Sequence, residues 1–208
     1  MCRGKRGFTL LEVLVVAFLS VLGMVILVSV LVPTFRVAAR GNQSVELQQM
    51  GAVAVQKLMA DLDRTPVTGL VLPDQDSPRP SLALHRLSGV TAQGERQWDD
   101  RLVLYVWERQ SGRLLRKEWP PEPPALSIAI DPSRPLQPSG QEVDRIAGSS
   151  NSTERPLALH VTSFELSSSS ASELTLPLVL KLVLEQPLGG GESASLELTR
   201  KIYLRNES

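Results

Sequence analysis

The sequence predicts an α+β protein in which a long N-terminal helix packs on a C-terminal antiparallel β-sheet head, and in which the first half of the helix spans a membrane. Three observations support this fold class. An uncharged apolar run extends from Val13 to Phe35, a helical pattern of apolar residues follows it, and strand-like alternation begins after Pro66. Because helices repeat about every 3.6 residues and strands every two, the change of period separates a helical part from a β-rich part.

The apolar run is long enough to cross a bilayer. It holds 23 residues without a charge, and at about 1.5 Å per residue a helix of this length covers roughly 34 Å. Glu12 lies directly before it, at the edge of the region that lipid would occupy. A charge at mid-membrane costs about 2.5 to 3.5 kcal/mol and somewhat less near the interface. We therefore expect Glu12 to have a partner or a function.

Basic residues flank the run on both sides. Arg3, Lys5 and Arg6 precede it and favour a cytoplasmic N-terminus, whereas Arg36 and Arg40 follow it and oppose that bias. The first group favours a location of the bulk of the chain outside the cytoplasm, and the second group weakens this bias.

Two simple interpretations explain the N-terminus incompletely. A secretory signal peptide has an apolar region of only about 7 to 15 residues, and the small-residue pair Ala38-Ala39 follows a charged residue. A plain membrane anchor explains the length of the run. It does not explain Glu12, or why the basic residues stop at Gly7.

The phrase "KRGFTLLEVLVV" resembles the processing site of type IV pilin-like proteins, in which a short basic leader ends in glycine before a hydrophobic helix. The resemblance implies a pilin-like fold. It also implies that a membrane prepilin peptidase cuts between Gly7 and Phe8, and that the new amino group of Phe8 is N-methylated. Glu12 matches the acidic residue five positions into the mature chain of that family.

Removal of the leader would create a cation at Phe8. The carboxylate of Glu12 could pair with that amino group on a neighbouring subunit inside a packed bundle of helices, which gives Glu12 a role in assembly. The alternative is a carboxylate that reaches out to the membrane interface without a protein partner.

Beyond the run, the helix is expected to bend at Pro33, to resume, and to end at or just before Thr65. An apolar stripe at helical spacing predicts that its second half covers a sheet. The stripe consists of Val45, Ala52, Val55, Met59 and Leu62.

The rest of the chain predicts strands joined by polar loops. Residues 101–119 form a hairpin that turns at 110–112, and three further strands cover 157–166, 177–185 and 195–204. The connections "PDQDSPRP", "PPEPP", "AGSSNSTERP" and "SSSSAS" are predicted surface loops. The predicted domains are a leader at 1–7, a membrane and assembly helix at 8–35, an amphipathic continuation at 36–65, and a β-rich head at 66–208.

Residue types that carry catalysis are sparse. With Cys2 as its single cysteine, the chain has no internal disulfide, and it lacks the common nucleophile, zinc and phosphate-binding motifs. We expect no enzyme activity, cofactor, metal or small-molecule substrate. The two histidines, His85 and His160, are expected on strand surfaces. The acidic pairs Asp74/Asp76 and Asp99/Asp100 are interpreted as solvated turn residues in preference to calcium ligands.

The 22 basic and 22 acidic residues balance, which argues against nucleic acid as a partner.

The order of elements is similar to that of J-type minor pseudopilins of type II secretion systems and of W-type minor pilins. This implies a structural subunit at or near the tip of a secretion pseudopilus. It would sit in the inner membrane with an extracytoplasmic head, and its partners would be the prepilin peptidase and other pilin-like subunits. The alternatives are a minor type IV pilin for pilus assembly, adhesion or DNA uptake, and a membrane-tethered exported enzyme.

Overall fold

A computed structural model describes residues 9–120, 130, 133–150, 152–168, 175–189 and 192–204. The chain divides into two compact units, Met1–Gln43 and Ser44–Ser208. The elements, in order, are α1 (Leu10–Leu62), a 3-10 turn (Val67–Gly69), β1 (Leu70–Val71), β2 (Ser81–Val90), β3 (Arg96–Glu108), β4 (Arg113–Trp119), α2 (Gly140–Gly148), β5 (Thr153–Ala158), β6 (Val161–Ser167), β7 (Leu178–Gly189) and β8 (Glu192–Ile202).

Helix α1 is 53 residues long and includes Pro33, so the helix resumes beyond this proline as predicted. It ends at Leu62. Thr65 closes the helix end, since its backbone N–H donates to the carbonyl of Leu62 and its hydroxyl donates to the carbonyl of Asp61. These bonds satisfy carbonyl groups that have no partner within the helix.

The strands form two antiparallel sheets, which confirms the α+β class with a long N-terminal helix. One sheet has the order β1-β2-β3-β4-β5, and the other has the order β6-β7-β8. The predicted hairpin is confirmed as β3–β4, with Leu102 opposite Trp119 and Glu108 opposite Arg113. Its turn includes Gly112 at a φ of 61°, a conformation that glycine adopts without steric cost.

The single strand predicted over 157–166 is wrong. The chain leaves β5 at Ala158 and starts β6 at Val161, and between them His160 has a φ of 60°. The carbonyl of His160 accepts a hydrogen bond from Glu185, and the N–H of Val161 donates to Gly112. This break moves the chain from the five-stranded sheet to the three-stranded sheet.

Two further elements differ from the sequence prediction. Strand β2 was predicted only through the expected strand position of His85, and helix α2 was not predicted. The loop expected at 147–156 instead contains the end of α2 and most of β5. A capping box starts α2: the hydroxyl of Ser139 accepts from the N–H of Glu142, and the Glu142 carboxylate accepts from the N–H of Ser139. Buried apolar residues then hold α2 on the sheet, namely Val143, Ile146 and Ala147.

The buried face of α1 partly matches the predicted stripe, since Leu62 is fully buried and Val55 and Met59 pack against the core. Val45 is half exposed and Ala52 is exposed, whereas Leu47, Ala54 and Leu58 are fully buried. Gly51 also lies on the buried face, where a Cβ atom would lie 2.9 Å from Leu198 Cδ1. The missing side chain lets α1 approach β8 closely at this point.

The second half of β3, in the middle of the five-stranded sheet, is buried on both faces. Val103, Tyr105 and Trp107 of β3 join the cluster under α1, while Leu102 and Leu104 join a second cluster under α2. Successive side chains of β3 therefore enter opposite clusters, and both faces of the strand are apolar because both are covered.

Candidate functional site

The N-terminal end of α1 is capped by Thr9. Its carbonyl oxygen accepts hydrogen bonds from the N–H groups of Glu12, at 3.0 Å, and Val13, at 3.2 Å, and its hydroxyl lies 3.3 Å from the N–H of Glu12. The Glu12 side chain is in the first turn and is exposed. A carboxylate in this position is favoured by the helix dipole and is free to meet a cation from outside the chain. The predicted cleavage residues, Gly7 and Phe8, lie outside the described residues.

The first half of α1 presents apolar side chains all around the helix. Its large hydrophobic residues are exposed, from 41% for Leu31 to 83% for Leu10. By length and composition α1 contains a stretch that can cross a membrane, and none of that stretch is buried within the protein. Such a surface requires lipid or other apolar helices as its surroundings.

The hydroxyl groups in this segment are compatible with lipid. Ser20, Ser29 and Thr34 each donate to a backbone carbonyl three or four residues earlier, at 2.7 to 2.8 Å. Because these donors are satisfied within the helix, they do not require water.

A buried ionic network joins α1 to the five-stranded sheet, and the sequence analysis did not predict it. Asp61 is 2% exposed. Its carboxylate accepts from Arg116 at 2.7 and 3.3 Å, from Arg86 at 3.1 Å and from the Tyr105 hydroxyl at 2.6 Å. The sequence does contain an acidic residue in the helix and arginines within apolar strands. These residues can be recognised as a network only once the structure shows that they pair.

Further carboxylates complete the network. Arg86 also binds Asp99 at 2.6 Å, and Arg116 binds Glu118 at 2.6 Å. Burial on its own raises the pKa of Asp61, but the hydrogen bonds from Arg116 and Tyr105 outweigh it and hold the pKa below the usual value. Asp61 is therefore ionised at neutral pH, and the network has a structural role in anchoring the helix.

Each histidine matches the prediction of a strand-surface position only in part. His85 lies in strand β2 but is fully buried, and His160 is exposed but lies at the break between β5 and β6. His85 Nδ1 accepts from the N–H of Leu136 at 2.8 Å, so the proton resides on Nε2, which lies 2.7 Å from the carbonyl of Asp99. Burial lowers the pKa of His85, and its ring stacks on Trp98 with a 5.0 Å centroid distance.

The acidic pairs lie in different settings. Asp74 and Asp76 occupy an exposed turn in which Asp74 Oδ1 accepts from the N–H of Asp76 at 2.9 Å. Asp99 and Asp100 lie in β3, which corrects the prediction of a turn there. Within the described ranges, no cluster of His, Cys, Asp and Glu side chains is arranged to hold a metal ion.

These features define a class of protein with an exposed apolar helix that suits membrane anchoring and a helix-anchored β-sheet head. Residues 2–28 match a family model described as the prokaryotic N-terminal methylation motif. This match supports a type IV pilin-like protein, and the motif is typical of structural subunits that prepilin peptidase processes and that assemble with other pilins. No curated protein and no solved structure matches the chain.

Proposed function

We propose that the protein is a minor pseudopilin, a structural subunit at or near the tip of a type II secretion pseudopilus that takes part in protein export. The observation that carries the proposal is the N-terminal methylation motif at residues 2–28, continued by an apolar helix that the protein itself does not bury. A helix with this surface has a use both as a membrane anchor before assembly and as a packing element afterwards.

In this proposal, residues 1–7 are the leader, and prepilin peptidase cuts between Gly7 and Phe8 on the cytoplasmic side of the inner membrane. Residues 8–35 then form the membrane and assembly helix, residues 36–65 continue it, and residues 66–208 form the extracytoplasmic head. Thr9 supports this arrangement, because it caps the start of α1 and is the second residue after the proposed cut.

The exposed Glu12 carboxylate binds the Phe8 amino group of a neighbouring subunit. At about 4 Å and an effective dielectric constant near 20, such a pair is worth on the order of 4 kcal/mol before desolvation. Desolvation of both charges leaves a net gain of about 1 to 3 kcal/mol. An unpaired Glu12 at the membrane edge thus favours assembly, because assembly brings the Phe8 amino group of a neighbouring subunit within reach.

Replacing Glu12 with alanine tests this role. We expect normal cleavage, because the peptidase acts at Gly7-Phe8, and a loss of co-purification with partner subunits of roughly five-fold or more, from the free energy above. Glu46→Ala is the matched control, since Glu46 is also an exposed glutamate of α1 but lies outside the apolar run. If the processed Glu12→Ala protein co-purified with its partners at the wild-type level, the pairing role would be wrong. Glu12 would then be a carboxylate that reaches out to the membrane interface.

The secretion assignment is supported by the order of elements, with the long helix followed by the β3–β4 hairpin and the closing β7–β8 pair. Deletion of the gene in its host distinguishes secretion from pilus assembly. We expect loss of exported protein from the medium while surface pili remain. Loss of pili with intact secretion would instead favour a minor type IV pilin.

A further inference from the structure

Strand β8 has an open edge. It pairs with β7 along its length, from Gly189 opposite Glu192 to Leu178 opposite Ile202, and among the described strands it has no partner on its other side. From Ser193 to Ile202 this edge presents a row of N–H and C=O groups without a neighbouring strand in the described part of the chain. Such an edge can accept an added strand through main-chain hydrogen bonds.

A groove of about 590 Å³ lies beside this edge, between α1 and β8. Ala52, Val55 and Met59 line the helix side, and Leu196 and Leu198 line the strand side. All but Ala52 are half-buried at the margin of the main core. Since side chains alternate along a strand, a strand added beside β8 would direct every second side chain into this apolar groove.

The groove is basic at one end. Arg200 and Lys201 line it there, and both are exposed. Neither forms an ion pair with a side chain in the described part of the chain, whereas Lys181 of the neighbouring strand lies 3.4 Å from Glu197. The remaining polar groups that line the groove are the neutral amides of Gln48 and Gln56. A complementary ligand therefore carries negative charge at the Arg200 end and apolar side chains elsewhere.

We propose that the β8 edge and this groove bind an extended segment of a partner protein, which adds beside β8 as a fourth strand. Apolar side chains at alternate positions of the segment fill the groove, and a carboxylate pairs with Arg200 and Lys201. The helix residues that line this site, from Gln48 to Met59, lie beyond the apolar run of α1 on which the proposed function rests.

A second copy of the chain fits the site less well. Antiparallel pairing of β8 with another β8 would reverse the direction of that copy's α1. Subunits anchored in one membrane by the same end run in the same direction, so such a pair would be incompatible with a shared anchor.

Binding of a designed peptide to the full chain in detergent micelles tests the proposal. The probe is a fluorescein-labelled peptide in which valine alternates with threonine and which ends in Glu-Glu. We expect saturable binding by fluorescence anisotropy, and binding at least about ten-fold weaker for the same peptide ending in Lys-Lys, because close charge pairs strongly affect affinity. A peptide N-methylated on the amides that would face β8 should not bind.

Matched variants locate the site. Ala52→Trp fills the groove and should abolish binding, whereas Val53→Trp, at an exposed position of α1 outside the groove, should not. Replacing both Arg200 and Lys201 with glutamate should reverse the preference toward the Lys-Lys peptide. Circular dichroism checks that each variant is folded.

Absence of saturable binding, equal binding of the charge-reversed or N-methylated peptide, or equal effects of the two tryptophan variants would overturn the proposal. A concentration-dependent dimer that Ala52→Trp dissociates would overturn the assignment to a partner protein and give the groove to a second copy.

Discussion

Replacing Asp61 with alanine removes the acceptor at the centre of the network that anchors α1 to the sheet. Arg116 and Arg86 then lose their shared carboxylate. Their side chains are only 5% and 13% exposed, so water cannot replace it fully. Removing one member of a buried ion pair typically costs about 3 to 5 kcal/mol, because the remaining charge stays desolvated. Arg116 keeps Glu118 and Arg86 keeps Asp99, so we expect the lower part of that range, about 3 kcal/mol.

Urea unfolding of the full chain in detergent, followed by tryptophan fluorescence, measures this cost. Asp61→Asn should cost less than Asp61→Ala, because an amide oxygen still accepts one or two of the hydrogen bonds. Glu46→Ala, on an exposed face of the same helix, should change the free energy of unfolding by less than about 0.5 kcal/mol. If Asp61→Ala were no more destabilising than this control, the anchoring role of the network would be wrong.

Two further predictions concern the packing of the head. Because burial lowers the pKa of His85, the unfolded chain binds a proton at about 6.5 that the folded chain resists. The free energy of unfolding should therefore fall as the pH drops below about 6.5, and it should fall less in His85→Gln. If the urea midpoints of the two proteins changed by the same amount from pH 7.5 to pH 5, this prediction would be wrong. Gly51→Leu should destabilise the protein by about 1 to 3 kcal/mol, because a Cβ there would lie 2.9 Å from a Leu198 methyl group. At Gly41, where a Cβ meets nothing within 4 Å, the same substitution should cost nothing; equal shifts of the urea midpoint in the two variants would refute the close approach.

The sequence could predict elements whose signal is local. The β3–β4 hairpin combines alternating apolar residues with a turn at Gly112, and the uncharged run before Arg36 is sufficient to predict the first half of α1. The break at His160 was not predictable in this way, because the segment around it alternates like one strand. The bonds that hold the break come from the distant residues Gly112 and Glu185.

The residues of the candidate site also divide into those with a local sequence signal and those whose role depends on distant residues. Glu12 was identified from sequence because a charge beside a long apolar run is conspicuous, and the structure places it exposed in the first turn of α1. Asp61 was missed because its partners are 25 to 55 residues away along the chain. The inner face of α1 was assigned only in part, because Leu62 is buried as predicted whereas Ala52 is exposed. Both features become visible only when helix and sheet are brought together.

The mass of the N-terminal peptide, from protein purified from its native host, tests the central claim most directly. A pilin-like subunit that prepilin peptidase processes should begin at Phe8 with an N-methylated amino group, and residues 1–7 should be absent. Changing Gly7 to a bulky residue should leave the precursor uncut in the membrane. Recovery of an intact Met1, or of a chain that begins after Ala39, from cells with an active peptidase would contradict the account.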